Sequence, residues 1–108
     1  MIDVTVARNR EYLQTVVIEG HAGSGPHGFD LVCAGVSSVS FGAVNAVEAL
    51  CDVTLVVNQA QDGGYMRIDV PDGLSHEQEQ SVQLLLEGML VSLRTIENSY
   101  SEFIQLND

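Results

Sequence analysis

The chain predicts an α+β domain in the order ββαββα, an antiparallel sheet from two β-hairpins covered by two helices. Three observations carry that expectation. Short β-branched stretches with period-two alternation flank polar or glycine-rich turns near residues 1–19 and 53–70. Two longer stretches, 31–50 and 76–103, repeat apolar residues every three or four positions. At 108 residues and 45% apolar content, the chain suits one domain over residues 1–108 with a core of its own.

The first hairpin begins with Ile2, Val4 and Val6 on one face and Asp3 and Thr5 on the other. Arg8-Asn9-Arg10-Glu11 supplies a polar turn. The second strand runs from Tyr12 to Glu19, with Tyr12, Val16 and Ile18 on one face and Leu13, Thr15 and Val17 on the other. Gly20 to Phe29 reads as a loop, because Gly20, Gly23, Gly25 and Gly28 permit unusual backbone angles and Pro26 interrupts regular structure. It is longer than most connections in so small a domain, and loops of that length often carry function.

Asp30 is a suitable N-cap for a helix running from Leu31 to about Leu50, with Val32, Val36, Val39, Ala43, Val47 and Leu50 following at spacings of three or four. Gly35 and Gly42 each cost roughly 1 kcal/mol against alanine inside a helix. Their presence predicts a buried central helix closely approached by another backbone. Val53 to Val57 and Tyr65 to Val70 read as strands around the Gln59–Gly64 turn, with Met66, Ile68 and Val70 on one face of the latter. Ser75-His76-Glu77-Gln78 has the spacing of a capping box. The helix it opens shows an apolar stripe through Val82, Leu86, Met89, Leu93, Ile96, Tyr100 and Phe103.

Composition narrows the partners. The chain has no lysine, and its four arginines face 15 carboxylates for a net charge of −11. It lacks the basic footprint that phosphate binding requires, so a nucleic-acid partner is not expected. An anionic membrane surface would repel it, and a basic protein or peptide would be attracted. No apolar run suggests a membrane span, and the N-terminus lacks a signal-peptide pattern, so the expected setting is cytoplasmic. In that setting Cys33 and Cys51 are expected to be free. On one helix, 18 residues apart, they would sit about 27 Å from each other.

Chemistry concentrates in Gly20 to Cys33, which holds two of the three histidines and one of the two cysteines. With Asp30 as cap, Cys33 falls in the first helical turn, where unpaired N–H groups and the helix dipole favour a thiolate. An imidazole from the preceding loop would complete a nucleophile and acid/base pair. Spacing alone leaves His21 and His27 both open as that partner, and Cys33 as a small buried apolar residue is the plain alternative. His76 is expected at the start of the last helix, exposed. A zinc site from His21, His27 and Cys33 matches no usual ligand spacing, so neither metal nor cofactor is expected. The helix serines lack the setting of a serine nucleophile, and Cys51 reads as packing. A thiol redox or metal protein is a further alternative.

Gly20-His21-Ala22, Gly28-x-Asp30-Leu31-Val32-Cys33-Ala34, Val36-Ser37 and Gly42-x-Val44-Asn45-Ala46 resemble the ribosomal-processing cysteine protease (Prp) family. The resemblance continues through Asp62-Gly63-Gly64 and Met89-Leu90-Val91-Ser92-Leu93-x-Thr95-Ile96-Glu97. Gly23-Ser24-Gly25-Pro26 falls in a variable segment, onto which no function is carried. The resemblance implies a small α+β cysteine endopeptidase, a homodimer of the bacterial cytoplasm. Its implied substrate is large-subunit ribosomal protein twenty-seven, a basic protein whose short N-terminal extension it removes during ribosome assembly. By position, Cys33 looks like the nucleophile and His21 like the acid/base. Asp30, Ser37, Gly20 and Ala22 look like supporting or substrate-binding residues. A non-catalytic acidic chaperone for a basic ribosomal protein is the alternative function.

Overall fold

A computed structural model describes residues 1–20, 27–61 and 63–108, with the backbone alone for 27–30. The strands are β1 (Ile2–Asn9), β2 (Tyr12–Glu19), β3 (Val56–Gln59), β4 (Tyr65–Asp69) and β5 (Ile104–Asn107); the helices are α1 (His27–Cys51) and α2 (His76–Ser99). Both expected hairpins form, β1 with β2 and β3 with β4, although β3 runs Val56–Gln59 rather than the expected Val53–Val57, and the two join through an antiparallel β2–β4 pairing. The resulting sheet has the order β3-β4-β2-β1-β5.

The fifth strand is a correction to the expected order. α2 stops at Ser99 rather than continuing through Phe103, and Ile104–Asn107 pairs parallel with β1 at the sheet edge. The sheet is therefore mixed. The apolar stripe misled because its spacing persists past the helix end: Phe103 and Ile104 reach the same core from a turn and a strand. Tyr100 closes the helix, its N–H donating to the Ile96 carbonyl at 2.8 Å.

One sheet face carries the core. Ile2, Val4, Val16, Ile18, Met66, Ile68, Ile104 and Leu106 are buried against Val32, Val36 and Val47 of α1 and Val82, Leu86, Met89 and Leu93 of α2. The expected facing of β2 holds for Val16 and Ile18 and fails at Leu13. A register shift between Ala7 and Arg8 pairs Arg8 with Leu13 and leaves Gln14 as the extra residue. Leu13 thereby turns into the core while Tyr12 stays exposed. The buried Gln83 of α2 secures this bulge: its side chain accepts from the Leu13 N–H and donates to the Leu13 carbonyl, both at 2.8 Å. Two buried backbone groups are satisfied by one amide.

The helix ends are built as physical chemistry requires. The Ser75–Gln78 capping box is present in both directions. After α1, Asp52 takes the left-handed conformation, φ 55°, that glycine more often supplies at this position. Its N–H donates to the Glu48 carbonyl at 3.2 Å.

α1 itself departs from expectation in three ways. It begins at His27, so His27 and Gly28 are helical and Asp30 is its fourth residue rather than its N-cap. Proline is tolerated at helix starts and a single helical glycine costs only about 1 kcal/mol, so Pro26-His27-Gly28 does not exclude the helix as a loop reading assumes. The helix is also only partly covered. Leu31, Phe41 and Leu50 are exposed, Leu50 to 75%. Among the described residues, and apart from its own helix backbone, a Cβ placed on Gly42 would meet nothing within 4 Å, and one on Gly35 would meet only the Ile96 side chain at 3.5 Å. The small residues do not mark a close backbone crossing. Finally, Leu31–Cys51 is 21 residues long with mean hydropathy 1.4, enough by length and composition to cross a membrane. The expectation that no stretch qualifies is corrected here, because many Ala, Gly and Val residues sum to apolar character without forming an unbroken run. Val32, Val36 and Val47 nonetheless pack into the domain core.

An ion-pair clamp closes the far end of the sheet. Arg8 donates to both carboxylate oxygens of Glu87 on α2 and both of Asp108 after β5, each at 2.9 Å. Hydrogen bonds from Arg8 hold the Glu87 and Asp108 carboxyls below their ordinary values. A carboxyl lowered in the fold contributes stability that is fully present above its unfolded pKa, near 4, and is lost as pH falls through the lowered value. Arg8→Ala is therefore expected to cost about 1 kcal/mol at pH 7. Urea denaturation of both proteins at pH 7 and pH 2.5 measures this, and the gap between them is expected to close at the lower pH.

Candidate active site

Cys33 and Ser37 lie four residues apart on α1, one turn from each other on the same helix face. Both are exposed, so Cys33 is an accessible thiol rather than a buried apolar filler. Cys51, half-buried at the end of the same helix, is also a free thiol. The face bearing Cys33 forms one wall of a cleft of about 130 Å³. Across it stand Ile18 and Gly20 at the end of β2, and Gly64 and Tyr65 where β4 begins. The sheet is what brings these together: β2 pairs with β4 so that Glu19 faces Tyr65, and the Gly20 N–H donates to the Gly64 carbonyl at 2.9 Å.

Gly20 is a fixed backbone corner of this cleft. Its φ is +111°, and a Cβ there would collide with the Met1 carbonyl oxygen. Only glycine both adopts the angle and admits the passing N-terminal strand. Gly63, in the β3–β4 turn, also has positive φ, +79°, and a Cβ there would meet nothing within 4 Å among the described residues.

The expected site residues are thus distributed unevenly. Cys33, Ser37 and Gly20 line one cleft. Asp30 is helical and three residues before Cys33, with its side chain outside the description. His21 and Ala22 lie outside the described residues. The first-turn environment expected for Cys33 is corrected: with the helix starting at His27, Cys33 is its seventh residue. The unpaired N–H groups of the helix start lie roughly 9 Å back along the axis. His27 begins α1 and His76 begins α2, as expected for the latter. Among the described residues no three His, Cys, Asp or Glu side chains come together as a metal site. Ser40, also on the cleft wall, was not singled out by the sequence; its helical spacing of seven from Cys33 is the signal that places it on the same stripe.

The cysteine protease Prp family model matches residues 1–105. The ribosomal processing cysteine protease Prp of Bacillus subtilis (strain 168) is 43% identical over 107 residues, covering 98% of this chain and 96% of that protein. The Staphylococcus aureus (strain NCTC 8325 / PS 47) protein of the same name is 44% identical over 108 residues, covering 99% and 98%. Among solved structures, the S. aureus ribosomal processing protease Prp with a substrate peptide superposes with a TM-score of 0.86 at 39% identity, covering 99% of this chain and 98% of that one. The same protease with a covalently linked product peptide gives 0.84 at 41% identity, with the same coverage.

Proposed function

The chain belongs to the cysteine protease Prp family, and from that premise we propose that it is a cysteine endopeptidase using Cys33 as nucleophile and His21 as acid/base. The observation that carries the reading is the exposed Cys33 on the wall of a cleft whose opposite corner, Gly20, is the residue immediately before His21. The relative solved with a covalently linked product peptide supports covalent catalysis.

In the proposed reaction the Cys33 thiolate attacks the scissile carbonyl carbon to form a tetrahedral adduct. Collapse breaks the C–N bond, and His21 delivers a proton to the departing amine. A thioester to Cys33 remains. Water, deprotonated by His21, then attacks that thioester and releases the new carboxylate and the thiol. Ser37, one turn from Cys33, and Gly20 shape the peptide-binding wall; Asp30 and Ala22 flank the pair in sequence as supporting residues.

The proposed substrate is the extended N-terminus of large-subunit ribosomal protein twenty-seven, met in the cytoplasm. The net charge of −11 favours encounter with such a basic protein. The exposed apolar residues of α1, Leu31, Phe41 and Leu50, suit a second copy of the chain in the proposed homodimer.

Incubating the purified protein with the extended ribosomal protein under reducing conditions tests the reading. Cleavage by the wild type is expected, with Cys33→Ala slower by about 10⁴-fold or more. Binding without cleavage by the wild type would identify a chaperone instead, and equal cleavage by both proteins would remove the thiol from the mechanism.

A further inference from the structure

The two edges of the sheet end differently. At the β5 edge the Leu106 N–H donates to the Glu97 carboxylate of α2 at 2.6 Å, so a side chain already occupies the hydrogen-bonding row there. The β3 edge is open among the described residues. Which of its groups face outward follows from the ladder. The Ala60 N–H donates to the Tyr65 carbonyl at 3.1 Å, and in the same register Asn58 stands opposite Arg67 and Val56 opposite Asp69. Hydrogen-bonded pairs alternate along an antiparallel ladder. Val56 and Asn58 therefore bond β4, while the main-chain N–H and C=O groups of Val57 and Gln59 point away from the sheet. None of these outward groups has a partner among the described residues. Folded proteins ordinarily guard such an edge with charge, proline or a covering element. Val56-Val57-Asn58-Gln59 carries neither charge nor proline, and Val56, Asn58 and Gln59 are exposed.

Location supplies the occupant. The cleft bearing Cys33 reaches this edge at Gln59 and Ala60, and β3 leads from there toward Val56. Resting on the reading of this cleft as the peptide site, we infer that the substrate lies along β3 as an added strand, held by main-chain hydrogen bonds to Val57 and Gln59. Pairing of this kind recognises an extended backbone, whatever its side chains. At about 3.3 Å per residue, the length of β3 matches about four substrate residues, all on one side of the cut bond. A chain segment already paired within a folded domain has no such row to offer, so the edge admits an unfolded tail and rejects structured protein. A basic tail is also drawn to a chain of net charge −11. A second copy lacks that attraction, and its exposed apolar residues Leu31, Phe41 and Leu50 lie on α1 instead.

The test uses junction peptides of the extended ribosomal protein with single ester-for-amide replacements, each removing one backbone N–H, over about four residues on either side of the cut bond. Affinity is read with Cys33→Ala and kcat/KM with the wild type. On one side of the bond, esters at alternate positions are expected to weaken both about fivefold, and those between to leave them within about twofold. On the protein, Gln59→Pro removes an outward N–H and leaves the β4 ladder intact. Added to Cys33→Ala, it is expected to lower affinity for the full peptide about fivefold. A peptide cut back to a single residue on the paired side is expected to bind alike with and without it. The ester series needs no change in β3, so it decides even if Gln59→Pro does not fold. Ester penalties that fail to alternate on either side overturn the inference and leave Cys33-dependent cleavage untouched. Loss of a dimer in Gln59→Pro with peptide affinity unchanged also overturns it, giving the edge to a second copy. If the wild type cleaves nothing while the alternating penalty persists in Cys33→Ala, the protease reading fails and the edge pairing stands. If Cys33→Ala binds none of the peptides, the pairing fails.

Discussion

His21→Ala is expected to lower kcat/KM for the extended substrate by about 10²–10⁴-fold, the usual worth of a positioned acid/base group. Peptide affinity is expected to stay within about threefold, because the imidazole acts on the reacting atoms. The variant is also expected to lose the ionisation that shapes the wild-type rate between pH 5 and 8, where histidine titrates. His27→Ala and His76→Ala provide the contrast. Both begin helices, and each is expected to leave the rate within about twofold. A rate measured across that pH range for the four proteins decides between His21 and His27. An unaltered profile in His21→Ala, or a collapse in His27→Ala, would exchange the two assignments.

Gly20→Ala is the second large effect, and it comes from the backbone. The substitution places a Cβ against the Met1 carbonyl oxygen at a φ of +111°. Strain of this kind alone costs about 1–3 kcal/mol, and relief of the collision must move either β1 or the β2 end that pairs with Gly64. A loss of at least about 2 kcal/mol is expected, lowering Tm by about 10 °C or more in a chain of this size. Gly63→Ala serves as the reference. It shares a positive φ but its Cβ would meet nothing within 4 Å among the described residues, so it is expected to cost only about 1 kcal/mol. Because Gly20 is also a corner of the cleft, its substitution is expected to impair cleavage below the melting transition, as measured by kcat at 25 °C. Equal Tm losses for the two glycine variants would show that the crossing with Met1 is not the constraint.

The sequence was most legible where a single local rule governs. Alternation placed β1, β2 and β4, and Ser75 with Gln78 marked the start of α2 correctly; the β-branched run at Val53–Val57 placed β3 some three residues early. It was least legible where long-range contacts decide. Nothing local in Gln14 announces a bulge; the register shift is stabilised by Gln83, some seventy residues away. Ile104–Asn107 became a strand because the edge of β1 offered hydrogen-bonding groups, a circumstance that helical spacing up to Phe103 disguised. The glycines of α1 were misread for a similar reason. A helix interior glycine announces its cost but not whether a neighbour has taken the space.

The site divides along the same line. Cys33 stood out by residue type, and the resemblance distinguished His21 from His27. The local argument for an activated cysteine, a first-turn position capped by Asp30, did not survive a helix that starts at His27. What replaces it is tertiary: a β2–β4 pairing that sets Gly20 opposite Cys33. Ser40 carried its signal in the sequence, a helical spacing of seven from Cys33, but that spacing gains meaning only once the cleft is built beside the same helix face.

The central claim is that the Cys33 sulfur becomes covalently acylated during turnover. Rapid acid quench of the wild type during cleavage of the extended substrate, followed by intact-protein mass spectrometry, measures it directly. A transient adduct is expected whose mass equals that of the released extension less one water, mapped by peptide digestion to Cys33 and missing from Cys33→Ala. Cleavage that proceeds without an adduct, at the same rate in wild type and Cys33→Ala, would contradict the account.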